Sequence, residues 1–513
     1  MPKTRTQNVM RNMWVGTLFQ IISLILGFVN RTIFIKILGA EYLGLNSLFT
    51  NILTILSFAE LGIGNAIIFS MYKPLSTGDE QKLKKLTNFY KQTYLKIGTI
   101  MLVVGLSITP FVPRIIESVP KISESIYLIY ILFVVDSAVS YFFSYRTCII
   151  TADQKNYIII TYTHIFKIAQ MILQLVILYF THNYMLYLIL QITNTIITQI
   201  FLSYKSKKMY PYLKEINNEH LEDKEKKSIL NNVKTLFIYK FGSVILNGTD
   251  SIIISKKLGL TILGLYSNYL LIINALAQII SQVLNAFTSS IGNLIAQKDV
   301  QKDKSVFFQL FYFTIYIYAI CGCCLYLLFN DFITIWLGPS YLLSNFVVAM
   351  IVLHLCVNGI QFAAFTFRNA SGEFNHYKYS PIYSAVLNIV LSLYFAKIMG
   401  LGGIFLATTI SRLTSATWID PVIIFKNTFH SPVKEYFIKY IKYWILIILC
   451  FIPSYLLTKN IKVTNIFLFG IKGIIIFLVT TTTFILLTMK TEEFKNVKSA
   501  LLFQIKKKVG KIQ

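Results

Sequence analysis

Charge is what this chain has least of: 14% of its 513 residues are Asp, Glu, Lys or Arg, against about 25% in soluble domains. Beside 55% hydrophobic and 15% aromatic residues, that scarcity excludes a water-soluble globular protein. No connector between the apolar segments is long enough to fold as a separate soluble domain. No Gly-rich phosphate loop, His/Cys metal spacing or nucleophile elbow stands in a usable context, so the chain shows no machinery for hydrolysing a nucleotide. The six cysteines, Cys148, Cys321, Cys323, Cys324, Cys356 and Cys450, all fall inside apolar runs. Cys321-Gly322-Cys323-Cys324 has no His or carboxylate close by and reads as small core residues rather than a metal site. The first apolar run lacks a small-residue cleavage site, so it reads as a retained helix and not a signal peptide.

What is present is a succession of apolar runs of roughly 20 residues, the length that crosses a bilayer as a helix. Inside lipid the backbone must satisfy itself, and runs this long mean α-helices rather than barrel strands. Fourteen spans are expected, near 13–35, 42–70, 92–112, 125–149, 157–180, 184–204, 232–255, 260–292, 305–329, 341–366, 377–399, 402–425, 436–458 and 464–489. The fold class is therefore an all-α integral membrane protein.

The chain also repeats itself. Leu38-Gly39, three residues, then Leu43-Gly44-Leu45-x-Ser47 returns as Leu258-Gly259, three residues, then Leu263-Gly264-Leu265-x-Ser267, an offset of 220 at every matched position. Ile33 and Lys36 meet Ile253 and Lys256 in the same register. The first copy joins spans 1 and 2, the second spans 7 and 8. Six spans separate equivalent positions, an even number, so the halves share one orientation: a parallel repeat about an axis along the membrane normal.

Lys and Arg in the connectors set the orientation. The N-terminus, 71–91, 205–228 and 490–513 together carry 22 of them. The opposite connectors hold 7: Lys36, Arg114, Lys121, Lys256, Lys257, Lys459 and Lys462. Both termini are expected in the cytoplasm of a bacterial inner-membrane, multi-pass protein. The net charge of +26 lies in these connectors and the tail, which argues against a nucleic-acid partner. The expected organisation is an N-lobe of spans 1–6 (1–210), a cytoplasmic inter-lobe linker (211–230), a C-lobe of spans 7–12 (231–430), an appended pair of spans 13–14 (431–489) and a basic tail (490–513). The tail carries Lys506-Lys507-Lys508 after Leu501-Leu502-Phe503, a segment for the inner leaflet or a solvated end.

Two stretches carry a family resemblance: Arg31-Thr-Ile-Phe-Ile-Lys36-Ile-Leu38-Gly39-Ala-Glu41-Tyr42-Leu43-Gly44-Leu45, and Ala59-Glu60-Leu61-Gly62-Ile63-Gly64-Asn65-Ala66. The chain resembles the polysaccharide transporter family, the Wzx-type oligosaccharide flippases, within the superfamily that also holds multidrug extruders and lipid II flippases. The likeness is motif-like across roughly 28–70 and extends over the whole chain in span number and lobe arrangement. It implies two lobes around a central cavity that faces the two sides alternately. That cavity would carry a lipid-diphosphate-linked oligosaccharide outward, with membrane lipids and polysaccharide polymerase or export proteins as partners.

Ionisable residues inside spans are costly and mark candidate sites. Lys167 in span 5, Lys240 in span 7 and Arg412 in span 12 lie deep, and Arg31 lies in the outer part of span 1. A diphosphate needs cationic donors where water is scarce, so these four are the expected substrate-binding set. Internal ion pairing or snorkelling is the alternative for each. Glu60, among Gly62 and Gly64, Asp136 in span 4 and Asp250 in span 7 are candidates to couple H+ or Na+ entry to conformational change, or else to neutralise a nearby cation. Lys96, Arg146 and Asp420 sit near the cytoplasmic edge, within reach of the interface or water. His164 shares a helix face with Lys167, and Lys472 in the appended pair suits an interfacial or lipid role. No catalytic residue, metal ligand or cofactor is expected. A cation-coupled multidrug extruder of the same architecture stays open, as does a membrane polymerase or ligase. Against them stand the mid-span excess of Lys and Arg and the shortness of the external connectors around 113–124 and 330–340.

Overall fold

The computed structural model describes residues 5–60, 62–117, 120, 122–214, 221–295, 299–371 and 379–499. Residues 215–220 of the linker and the tail from 500, with Lys506 to Lys508, lie outside the described residues. Within them every regular element is a helix. Eleven helical stretches are long and apolar enough to cross a membrane. Two of them each hold two spans. The run Asp223–Ile295 breaks at Gly259 (φ 87°, ψ 166°), and Ser380–Leu413 breaks at Gly400 (φ 59°, ψ −137°) before continuing as Ala416–Asn427. Both are left-handed backbone positions that glycine adopts without the Cβ penalty. A further span is divided into Ala40–Leu56 and Ile63–Thr77. Fourteen crossings result, in the places that hydropathy predicts, and the chain is a multi-pass membrane protein.

The repeat is visible in the backbone. Gly39 (φ 89°, ψ −178°) ends span 1 with nearly the same torsions with which Gly259 ends span 7. The copies also touch one another reciprocally. A Cβ on Gly44 would strike the Leu260 carbonyl oxygen, and a Cβ on Gly264 would strike the Ala40 carbonyl oxygen. Gly264 and Leu260 are the 220-offset equivalents of Gly44 and Ala40, so the contact is a local two-fold one. Small residues allow this backbone-to-backbone approach in a bilayer, where packing and not hydrophobicity joins helices.

The chain divides into two compact units, residues 1–267 and 268–513. In the first, span 1 packs along span 5, span 3 along span 4, and spans 4 and 5 along span 6. Phe34, Tyr42, Tyr184 and Tyr187 form an aromatic cluster with ring centroids 5.0–5.9 Å apart. At one end of this unit the Tyr210 hydroxyl donates to Asp153 Oδ2 at 2.6 Å, and Lys82, near the start of the helix that forms span 3, pairs with Glu225, near the start of the helix that forms span 7.

In the second unit the buried Phe307 ring meets Phe367, Phe425 and Phe429 at 5.3–5.6 Å. Spans 13 and 14 pack on span 9, where Cys323, Leu328 and Ile476 form a small core. Lys472 of span 14 is buried and its ammonium sits 2.7 Å from Asp331 Oδ2, so it pairs inside the unit rather than facing lipid headgroups. Many large apolar side chains stay exposed, Phe180, Ile398 and Leu486 among them. That is the surface expected where the solvent is lipid.

Candidate functional site

Span 2 is interrupted at its inner part. The helix Ala40–Leu56 tightens into a 3-10 turn at Ser57–Glu60, Gly62 is left-handed (φ 91°), and the helix resumes at Ile63. A broken transmembrane helix frees backbone groups within the membrane and marks a binding site in many transporters. Glu60 sits in this break, and its Oε1 accepts a 2.6 Å hydrogen bond from the Tyr94 hydroxyl. Tyr94 stacks on Tyr90 with centroids 4.2 Å apart. Gly64 makes room for both hydroxyls, because a Cβ there would collide with Tyr94 and lie 3.0 Å from Tyr90. The cavity beside the break holds about 390 Å³ and is lined by Ser57, Glu60, Asn65, Tyr90, Tyr94 and Lys240. Two of the expected site residues, Glu60 and Lys240, thus meet in one cavity.

Arg31 lies elsewhere in the same unit. Its Nη1 donates to Ser267 Oγ at 3.2 Å and its Nη2 to the Ser267 carbonyl at 3.3 Å. Ser267 is the serine of the second motif copy, and its hydroxyl donates to the Gly264 carbonyl at 2.7 Å. Next to Arg31 in sequence, Asn30 accepts from the Tyr187 hydroxyl at 3.4 Å. Among the described residues no carboxylate pairs with Arg31. Among the described residues the guanidinium is held by the two neutral oxygens of Ser267. Asp250, the 220-offset equivalent of Asn30, lies within electrostatic reach of Tyr266, the residue before Ser267.

Lys167 and Asp136 join a third cluster, between spans 4, 5 and 6. Asp136 accepts from Gln191 Nε2 at 2.8 Å and from Thr195 Oγ1 at 2.7 Å, one bond per carboxylate oxygen. Lys167 donates to Gln170 Oε1 at 3.4 Å, which also accepts from Asn194 Nδ2 at 2.9 Å, and Asp136 attracts its ammonium. His164, one turn earlier, meets Ser23 Oγ at 3.0 Å and stacks on Phe19. These contacts bind helix to helix. Arg412 belongs to the other compact unit, within electrostatic reach of His354.

Arg146, expected near a membrane edge, donates to Ser203 Oγ at 2.6 Å and to Tyr145 Oη at 2.8 Å. Asp420 departs from the expectation of a water-facing acid. It is 2% exposed and pairs at 3.0 Å with Arg368, whose side chain is 1% exposed. Arg368 falls just past the hydropathy boundary of span 10 and so escapes a search for charges inside spans. Tyr94 escapes for another reason: a tyrosine at one position gives no sign that it faces a carboxylate 34 residues away. Among the described residues no group of three or more His, Cys, Asp or Glu could hold a metal ion.

The family model described as polysaccharide biosynthesis protein matches residues 9–291, more than half of the chain. A search of curated proteins finds no match. Among solved structures, the lipid II flippase MurJ in an inward closed conformation superposes with a TM-score of 0.62 at 15% identity, covering 92% of this chain and 98% of that one. An inward-facing MATE-family multidrug resistance transporter gives 0.61 at 12% identity, covering 79% and 96%. A MATE transporter from Vibrio cholerae gives 0.56 at 13% identity, covering 84% and 98%. At these identities the likeness is one of fold.

Proposed function

This chain belongs to the polysaccharide biosynthesis protein family, and we propose that it is a flippase. It moves a polyprenyl-diphosphate-linked oligosaccharide repeat unit from the cytoplasmic to the outer leaflet, for capsule, O-antigen or other surface polysaccharide synthesis. The reaction is translocation, with no bond made or broken, so the protein is not an enzyme. It works by alternating access in the inner membrane, with both termini cytoplasmic, beside the polymerase and export proteins that use its cargo.

The observation that carries the reading beyond the family is the state of Arg31, a guanidinium inside a span whose hydrogen-bond acceptors among the described residues are the neutral oxygens of Ser267. Phosphate oxygens make shorter, charge-assisted bonds to such a group, about twice as strong as neutral ones. Lys240, lining the cavity at the broken span 2, supplies a second cation, with Arg412 and Lys167 as further members of the set. Glu60 in the same cavity is our candidate to take up H+ or Na+, because it is a carboxylate inside a span that lines an open cavity. Asp250 remains a candidate for the same role. Asp136 holds helices together and offsets Lys167.

The direct test is translocation of a lipid-linked oligosaccharide by purified protein in vesicles, with efflux of organic cations measured in parallel. Movement of the lipid-linked sugar without cation efflux supports the flippase. The reverse pattern replaces it with a multidrug extruder.

A further inference from the structure

We propose that Arg31 is a latch as well as a ligand: the guanidinium that takes the diphosphate is the one that ties span 1 to Ser267 of span 8, so cargo binding releases that tie. The inference rests on the reading of Arg31 as a diphosphate ligand and adds what binding does to the protein. Both acceptors of Arg31 belong to one residue, Ser267 Oγ and the Ser267 carbonyl, and they are reached from the two terminal nitrogens. Ser267 therefore occupies the fork that bonds two phosphate oxygens in parallel. Its bonds are long, 3.2 and 3.3 Å, and neutral on the acceptor side, so a diphosphate displaces them.

Ser267 is a positioning residue. Its hydroxyl proton is committed to the Gly264 carbonyl, so toward Arg31 it can only accept, which is the polarity that a guanidinium requires. Gly264 is also the residue that meets the Ala40 carbonyl in the reciprocal crossing with Gly44 and Leu260. The seam between the two motif copies is thus a close backbone contact, and Arg31 bonds across it. Among the described residues the Glu117 backbone N–H also donates to the Ser255 carbonyl at this end, at 3.2 Å. The repeat shows the asymmetry of the device: the 220-offset equivalent of Arg31 is Ser251, which cannot form a matching second latch. Loss of one guanidinium's bonds therefore removes a side-chain tie on the seam, two hydrogen bonds at once.

The test uses the full-length protein in proteoliposomes, with the native cysteines replaced and Leu43→Cys as reporter, since Leu43 is 2% exposed in the first motif copy. An impermeant maleimide is added outside, with and without polyprenyl diphosphate. The lipid is expected to raise labelling several-fold. Ser267→Ala is expected to raise labelling without the lipid and to lower the half-saturating lipid concentration about three- to tenfold, the worth of one hydrogen bond. A gain of affinity is a result that a misfolded variant does not give. Labelling and affinity both unchanged in Ser267→Ala, while Arg31→Gln loses lipid binding, overturns the latch and leaves the ligand assignment standing. Wild-type lipid binding by Arg31→Gln overturns the ligand assignment and the latch together.

Discussion

Gly44 lies with its Cα against the carbonyl of Leu260, and 220 residues further along Gly264 meets the carbonyl of Ala40 in the same way. Neither position has room for a methyl group. Gly44→Ala and Gly264→Ala are each expected to cost about 1–3 kcal/mol through overpacking against backbone. Gly27→Ala is the control, since nothing lies within 4 Å of the Cβ it would add. Thermal unfolding of the purified protein in detergent should show the first two lowered and Gly27→Ala unchanged.

The buried pair of Arg368 and Asp420 makes a second prediction for the 268–513 unit. Arg368→Met leaves a carboxylate unpaired in a packed interior and is expected to cost about 3–5 kcal/mol. Adding Asp420→Leu should recover most of that loss, because two apolar side chains of similar volume replace the pair. The same melting experiment reads both variants.

Glu60 and Asp136 should separate in a transport assay. Asp136 has each oxygen bonded, to Gln191 and Thr195, whereas Glu60 faces a cavity. Glu60→Gln is expected to remove the dependence of transport on an imposed H+ or Na+ gradient. Asp136→Asn should keep that dependence while losing about 1–3 kcal/mol of stability from the disturbed network. Gradient dependence lost in Asp136→Asn and kept in Glu60→Gln would reverse the two roles.

Orientation is testable at two exposed positions, Ser76 in the last turn of the second half of span 2 and Ser340 between spans 9 and 10. In a cysteine-free background, Ser340→Cys should react with an impermeant thiol reagent on intact cells. Ser76→Cys should react only after the membrane is opened. The opposite pattern inverts the topology.

The number and order of the spans were legible in the sequence because a bilayer imposes one length and one composition on every crossing. The repeat was legible because Gly39 and Gly259 need the same rare torsions, and Gly44 and Gly264 the same close approach. What hydropathy cannot see is polar pairing between distant segments. It assigned residues 42–70 to one span, although Gly62 and Gly64 marked where the helix could unwind. The 3-10 turn with Glu60 facing Tyr94 depends on span 3 packing there. Lys472 suited the interface when read alone, yet Asp331 of span 9 draws it inward. Asp420 looked close enough to water, yet Arg368 lies against it. Arg31 stands out in the sequence as an ionisable residue inside a span and Ser267 as part of the repeat, but no pattern in the sequence joins the two.

In the proposed flippase, cations inside the spans bind an anionic lipid-linked cargo. The measurement is the initial rate at which wild type, Arg31→Ala and Arg412→Ala move a polyprenyl-diphosphate-linked oligosaccharide across reconstituted vesicles, at equal amounts of folded protein. Loss of charge-assisted bonds to phosphate should slow each variant about tenfold to a hundredfold at limiting substrate. Wild-type rates in both variants would contradict the account.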